Sequence, residues 1–165
     1  PGTAILSPRG RVLENGMPRF FRRLAEGVFD MEDLHARTAE LADWIEAFCS
    51  EHGIADQPMV AVGFSNGANI AGSLLLSRPG LLAGAMLLRP MVPFVPETLP
   101  SLVGTRVLIS AGTHDQLMTP DESTRLDALL QSCGAEVELA WQQGGHGLMQ
   151  SDLETARTWF ANSGW

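Results

Sequence analysis

Met59-Val60-Ala61-Val62-Gly63-Phe64-Ser65-Asn66-Gly67 is the stretch whose reading decides the fold. Its first four residues form an apolar run of the kind a buried parallel strand carries, and a helical pattern follows from about 66 to 78. Between the two, a serine sits between glycines at i−2 and i+2. Such a strand-turn-helix corner is so tight that side chains at both flanking positions would meet neighbouring backbone. It would also hold Ser65 at the positive end of a helix, where a nucleophile belongs. The plainer alternative is a glycine-rich turn in which Ser65 only caps the helix.

Outward from this corner, short β-rich runs alternate with longer helical patterns, the signature of a parallel sheet covered on both faces. Five strands are expected, at 3–7, 59–64, 83–88, 106–111 and 136–142. Leu34, Leu41, Ile45 and Phe48 recur at helical spacing between an Asp30 cap and a Gly53 stop. A third helix should open at Thr119-Pro120-Asp121-Glu122 and end before Gly134, and a fourth at the capping box Ser151 to Glu154, carrying Trp159 and Phe160. Residues 8–29 and 89–104, rich in Pro, Gly and Arg, read as irregular excursions on the carboxyl side of the sheet, where ligands of open α/β sheets bind. The expected architecture is a three-layer α/β/α sandwich on a mostly parallel sheet.

With 165 residues, 45% of them apolar, the chain suits a single domain over 1–165 with one core. A net charge of −8 opposes binding to nucleic acid or anionic membrane. All eleven basic residues are arginines and tyrosine is absent, so neither Lys nor Tyr is on hand as base or Schiff-base former. Cys49 and Cys133 lack metal spacing and suit reduced thiols in a cytoplasmic protein. No apolar run approaches membrane-spanning length, and no basic-then-apolar leader opens the sequence.

A serine hydroxyl needs a base, and the histidines are His35, His52, His114 and His146. His35 and His52 belong to the first helix and read as surface residues. His146 lies in Gln143-Gly144-Gly145-His146-Gly147, a mobile-looking loop after the last strand that can reach over the sheet edge. The acid that orients it should stand on a loop between nucleophile and base. Asp115, in Gly112-Thr113-His114-Asp115, meets that requirement, whereas Asp121 is accounted for by helix capping. The Asn66 backbone N–H would receive the developing oxyanion.

With those motifs in place, the chain resembles the phospholipase/carboxylesterase family of α/β-hydrolases, the group of acyl-protein thioesterase-like enzymes and bacterial carboxylesterases. The order Ser65, Asp115, His146 is that of the fold. Ser7-Pro8-Arg9-Gly10, Arg19-Phe20-Phe21-Arg22-Arg23 and Phe29-Asp30 resemble the segment such enzymes carry after an early strand. The resemblance implies ester or thioester hydrolysis of short to medium acyl chains through an acyl-enzyme, with a small-molecule substrate, no cofactor and no metal. Family members also have further N-terminal strands and a His-Gly loop that donates a second N–H to the oxyanion hole. This sequence begins after that loop. The expectation is therefore an open slot beside strand 59–64, filled by an upstream segment of the natural protein, by a shift of strand 3–7, or by a second copy in a homodimer.

Met91, Phe94, Leu117, Met118 and Leu148 fall on the loop side of the sheet and are candidates for an acyl pocket or simply for core. Five arginines within residues 9–23 suit either an anion site or a salt-bridged excursion offsetting the acidic excess. The rival functions are a catalytically impaired fragment or binding module of the same fold with an incomplete oxyanion hole, and a doubly wound nucleotide or flavin binder. The absence of a Gly-x-Gly-x-x-Gly or phosphate-loop pattern opposes the second.

Overall fold

The computed structural model describes residues 3–165. Four strands, β5 (Val60–Phe64), β6 (Gly84–Leu88), β7 (Arg106–Gly112) and β8 (Glu136–Gln142), pair in parallel in chain order. Central β6 is buried along its whole length, as a strand covered on both faces must be. Three helices pack on one face: α1 (Met31–Glu51), α2 (Asn66–Ser77) and α3 (Pro120–Ser132). Their apolar sides meet the sheet or one another in one core containing Ala42, Ile45, Leu74, Leu75, Leu126 and Leu130. On the other face, α4 (Gln150–Asn162) sets Trp159 against Met86 and Leu108. The result is the three-layer α/β/α sandwich.

Helix boundaries follow the caps. The Asp30 carboxylate accepts the Asp33 N–H at 3.1 Å, and Gly53, at φ 65°, takes the left-handed conformation that ends α1. Leu34, Thr38, Ala42, Ile45 and Cys49 form the buried stripe of α1, while Leu41 and Phe48 are only half-buried. Thr38 Oγ1 and Ser73 Oγ meet at 2.7 Å in the core, tying α1 to α2. Thr119 caps α3 as expected, accepting the Glu122 N–H. The start of α4 is different: the helix begins at Gln150, and it is the Asp152 carboxylate that accepts the Met149 N–H, at 2.8 Å. Ser151 is not the cap: it lies inside the first turn, and Met149 stands at the N-cap.

Two expectations fail in the N-terminal region. Residues 3–7 form no strand, and Ile5 is 91% exposed. Apolar character does not make a strand unless a neighbour takes its backbone hydrogen bonds, and these residues neither pair with nor shift onto the outer edge of β5. Among the described residues no strand pairs with that edge, and Val62 is 65% exposed. Nor is 8–29 wholly irregular. It folds as two short antiparallel hairpins, β1 (Val12–Glu14) with β2 (Met17–Arg19) and β3 (Arg23–Ala25) with β4 (Val28–Phe29). In the first, Asn15 and Gly16 both have positive φ, as a tight primed turn requires. Most of the arginine cluster is spent on ion pairs: Arg19 and Arg23 with Glu14, Arg22 with Asp30, and Arg11 with Glu40.

Candidate active site

Parallel strands in chain order bring all their carboxyl ends to one edge of the sheet, so residues distant in sequence meet there. Ser65 follows β5 and precedes α2 with φ 52° and ψ −112°, a conformation that costs an L-residue energy and persists only where its surroundings enforce it. The enforcement is visible: Ser65 N–H donates to Leu88 O at 2.9 Å, and Ser65 O accepts the Asn69 N–H at 2.9 Å. A Cβ on Gly63 would stand 2.3 Å from Gly67 O and 2.5 Å from Ala68 N, so the corner has no room for any other residue there. At Gly67 the expectation fails. A Cβ would meet only Phe20 Cε2, at 3.8 Å, because the position is helical and open.

His146 reaches both partners at once. Its Nε2 lies 3.0 Å from Ser65 Oγ and its Nδ1 lies 3.0 Å from Asp115 Oδ2. Asp115 is buried, and its other oxygen accepts the N–H groups of Leu117 (2.9 Å) and Met118 (3.0 Å), which fixes the carboxylate and leaves Oδ2 for the imidazole. With Nδ1–H donating to Asp115, Nε2 is left to accept from the serine hydroxyl. Phe64 lies against His146 with ring centroids 5.3 Å apart. The loop around His146 is held from β7's end: His114 N–H donates to Gly144 O at 3.0 Å, and Thr113 N–H to Gln142 O at 2.9 Å.

The other histidines lie elsewhere. His35 is on the exposed side of α1 against Phe94, His52 stacks on Phe48, and the His114 ring turns to Thr113 Oγ1. Asp121 sits exposed in the first turn of α3. Asn66 opens α2, where the first N–H groups have no intrahelical partner, and its side-chain oxygen accepts the Phe20 N–H at 2.7 Å, drawing the arginine-rich excursion over the corner. The candidate pocket residues divide. Leu117 and Leu148 are exposed next in chain to the Asp115 and His146 loops, and Met118 is buried. Phe94 packs on Phe21, Leu34 and Ile70, and Met91 points toward the Gly27 turn. Two clefts, of about 330 and 400 Å³, are lined by other residues, at Pro8–Arg11 with Trp44 and between β8 and α4. Among the described residues no group of three or more His, Cys, Asp or Glu side chains is gathered as a metal would need, and no helix is long and apolar enough to cross a membrane.

Sequence reasoning missed Arg89 and Asp152, which lie fully buried beside this site. The available signal was an arginine ending the otherwise apolar run Gly84–Leu88, since an arginine is almost never buried unless paired. Burial alone would push the Asp152 carboxyl up. Hydrogen bonds from Arg89, Ser110 and the Met149 N–H outweigh it and hold the group below its ordinary value.

The chain is 49% identical over 160 residues to the "Putative hydrolase MhqD" of Bacillus subtilis (strain 168), spanning 97% of this chain and 80% of that protein. A carboxylesterase crystal structure from Bacillus cereus superposes with a TM-score of 0.91 at 46% identity, over 94% of this chain and 73% of that one. A carboxylesterase structure from Mesorhizobium loti follows with a TM-score of 0.87 at 34% identity, over 93% of this chain and 73% of that one. No family model matches the sequence.

Proposed function

The chain belongs to the carboxylesterase family of α/β-hydrolases and is an esterase-type enzyme, and from that premise we propose that it cleaves carboxylic esters or thioesters of short to medium acyl chains through an acyl-enzyme on Ser65. The observation that carries the reading is a single imidazole within 3.0 Å of both a serine hydroxyl and a buried carboxylate.

In the first half-reaction, His146 Nε2 takes the Ser65 proton as Oγ attacks the carbonyl carbon. Asp115 keeps the imidazole in the tautomer that can accept and stabilises the imidazolium that forms. The carbonyl oxygen gains negative charge at the N-terminus of α2, where the Asn66 N–H would donate to it and the helix dipole favours an anion. His146 then returns the proton to the leaving alcohol or thiol, and water repeats the sequence on the acyl-enzyme. Exposed Leu117 and Leu148 supply apolar surface for the acyl chain beside the two loops.

The test pairs a fluorophosphonate probe with p-nitrophenyl esters of graded chain length. Labelling of the wild type and not of Ser65→Ala, with turnover greatest for short or medium chains, is the expected outcome. Equal labelling of Ser65→Ala would move the nucleophile elsewhere, and a preference for long chains would remove the chain-length assignment.

A further inference from the structure

β5, β7 and β8 each deliver a member of the Ser65, Asp115, His146 set to the carboxyl edge of the sheet; β6 delivers Arg89. This arginine is completely buried and has φ 55°, a left-handed conformation that its neighbours must impose. The peptide carbonyl that precedes it, Leu88 O, receives the Ser65 N–H, and Arg89's own N–H donates to Ser110 O at 2.9 Å. Its guanidinium faces two ways. Nη1 and Nη2 donate to the two Asp152 oxygens at 2.6 and 2.9 Å, and Nε donates to Gly145 O at 3.0 Å. Nη1 also reaches Ser110 O at 3.0 Å. Asp152 is completed by Ser110 Oγ at 2.6 Å and the Met149 N–H at 2.8 Å.

The Gly145 carbonyl is the one bonded to the nitrogen of His146. The loop carrying the base is thus anchored on Arg89 just before His146 and on Asp152 at Met149, three residues after it. The packing beneath is close: a Cβ on Gly112 would lie 2.6 Å from both Gly144 O and Gly145 O and 3.2 Å from Arg89 Nε.

We infer that Arg89 and Asp152 are positioning residues that hold His146 in register with Ser65 and Asp115. The inference rests on the catalytic reading of that set. Neither residue touches a reacting atom; both act through the backbone of the His146 loop. A buried ion pair is a poor device for stability alone, since apolar replacement of both partners is often neutral or stabilising. What such replacement cannot reproduce is the planar fork, which grips a carboxylate and a carbonyl in fixed directions where a lysine offers only a point charge.

The experiment compares wild type, Arg89→Met/Asp152→Leu, Arg89→Lys and His146→Ala for kcat and KM on a p-nitrophenyl ester, with thermal unfolding followed by circular dichroism. The double variant is expected to unfold cooperatively and keep KM within about threefold while kcat falls about 10²-fold, the cost of a misplacement near 1 Å. Arg89→Lys keeps a cation beside Asp152 but loses the grip on Gly145 O, and its kcat should fall at least about tenfold at similar KM. Wild-type kcat in either folded variant overturns the inference. So does failure of both variants to fold, which would make the pair part of the scaffold. His146→Ala separates the two layers of argument. If it stays active, the catalytic reading fails. If it is inactive while a folded pair variant is fully active, only the positioning role fails.

Discussion

Replacing Gly63 and Gly67 one at a time by alanine should give opposite results, although both frame Ser65 in the same way in sequence. At Gly63 the new methyl would lie 2.3 Å from Gly67 O, 2.4 Å from Gly67 C and 2.5 Å from Ala68 N, all of them backbone atoms in the first turn of α2. To restore ordinary contact that turn must retreat by about 1 Å, and overpacking of this kind costs about 1–3 kcal/mol. At about 2–4 °C per kcal/mol for a domain of this size, the thermal midpoint should drop by roughly 2–12 °C. The retreating turn carries the Asn66 N–H and pulls on Ser65, now 3.0 Å from His146 Nε2. A misplacement near 1 Å lowers turnover about 10²-fold. At Gly67 the methyl meets nothing closer than Phe20 Cε2 at 3.8 Å. There alanine should keep kcat within about twofold and raise stability by about 0.5–1 kcal/mol, because glycine in a helix loses more backbone freedom on folding. Esterase kinetics with thermal melts on both variants decide the matter. A Gly63→Ala protein with wild-type kcat and midpoint, or a Gly67→Ala protein as damaged as Gly63→Ala, would refute the reasoning.

Ser65→Ala, Asp115→Asn and His146→Ala should each cut kcat by several orders of magnitude with unchanged melts, while His35→Ala and His52→Ala stay near wild type; a silent His146→Ala would displace the base. Gly112→Ala should disturb the His146 loop from below, since its methyl would press Gly144 O and Gly145 O at 2.6 Å, so kcat should fall with the ester panel's order of preference unchanged. A reordered preference would mean that Gly112 shapes the substrate site instead. Asp152 links the buried pair to pH. Its carboxyl is held below the ordinary value in the folded state, so the stability it contributes is complete above that ordinary value and drains away as pH falls toward the lowered one. The urea-midpoint gap between wild type and Asp152→Asn should therefore be constant above about pH 5 and narrow below about pH 4, and a gap that does not narrow on acidification would disprove the linkage.

The parts of this molecule legible in the sequence are those with local causes. Asp30, Thr119 and Gly53 announce helix ends through caps and a left-handed turn, and the fully buried β6 betrays itself as an unbroken apolar run. That Ser65, Asp115 and His146 meet at one edge was legible because each follows a strand whose direction is fixed by the α/β alternation. Residues 3–7 were misread because a strand is a property of two segments, and their apolar residues carry no information on whether a neighbour lies alongside. The Asn15-Gly16 turn signals its hairpin, but the prolines and arginines around it mask the alternation that a strand pair would show. Ser151 resembles a helix cap, but the helix starts at Gln150, with the Asp152 carboxylate accepting the Met149 N–H. Identical spacing around Ser65 does not imply identical crowding, since a Cβ at Gly63 would meet backbone and one at Gly67 only the Phe20 ring at ordinary contact distance.

The span of the hydrogen bonds in the site has a consequence for how the enzyme comes into being. Ser65 and His146 are separated by 81 positions, Arg89 and Asp152 by 63, and Asp115 and His146 by 31. Contacts of such length form late, after chain entropy has been spent on nearer pairings. A chain in which only β5, β6 and β7 had joined would hold Ser65 in its corner without His146 beside it. On the proposed reading, turnover would require β8 to be paired with β7 so that the loop after it brings His146 over Ser65, which makes hydrolysis depend on the most distant contacts in the chain.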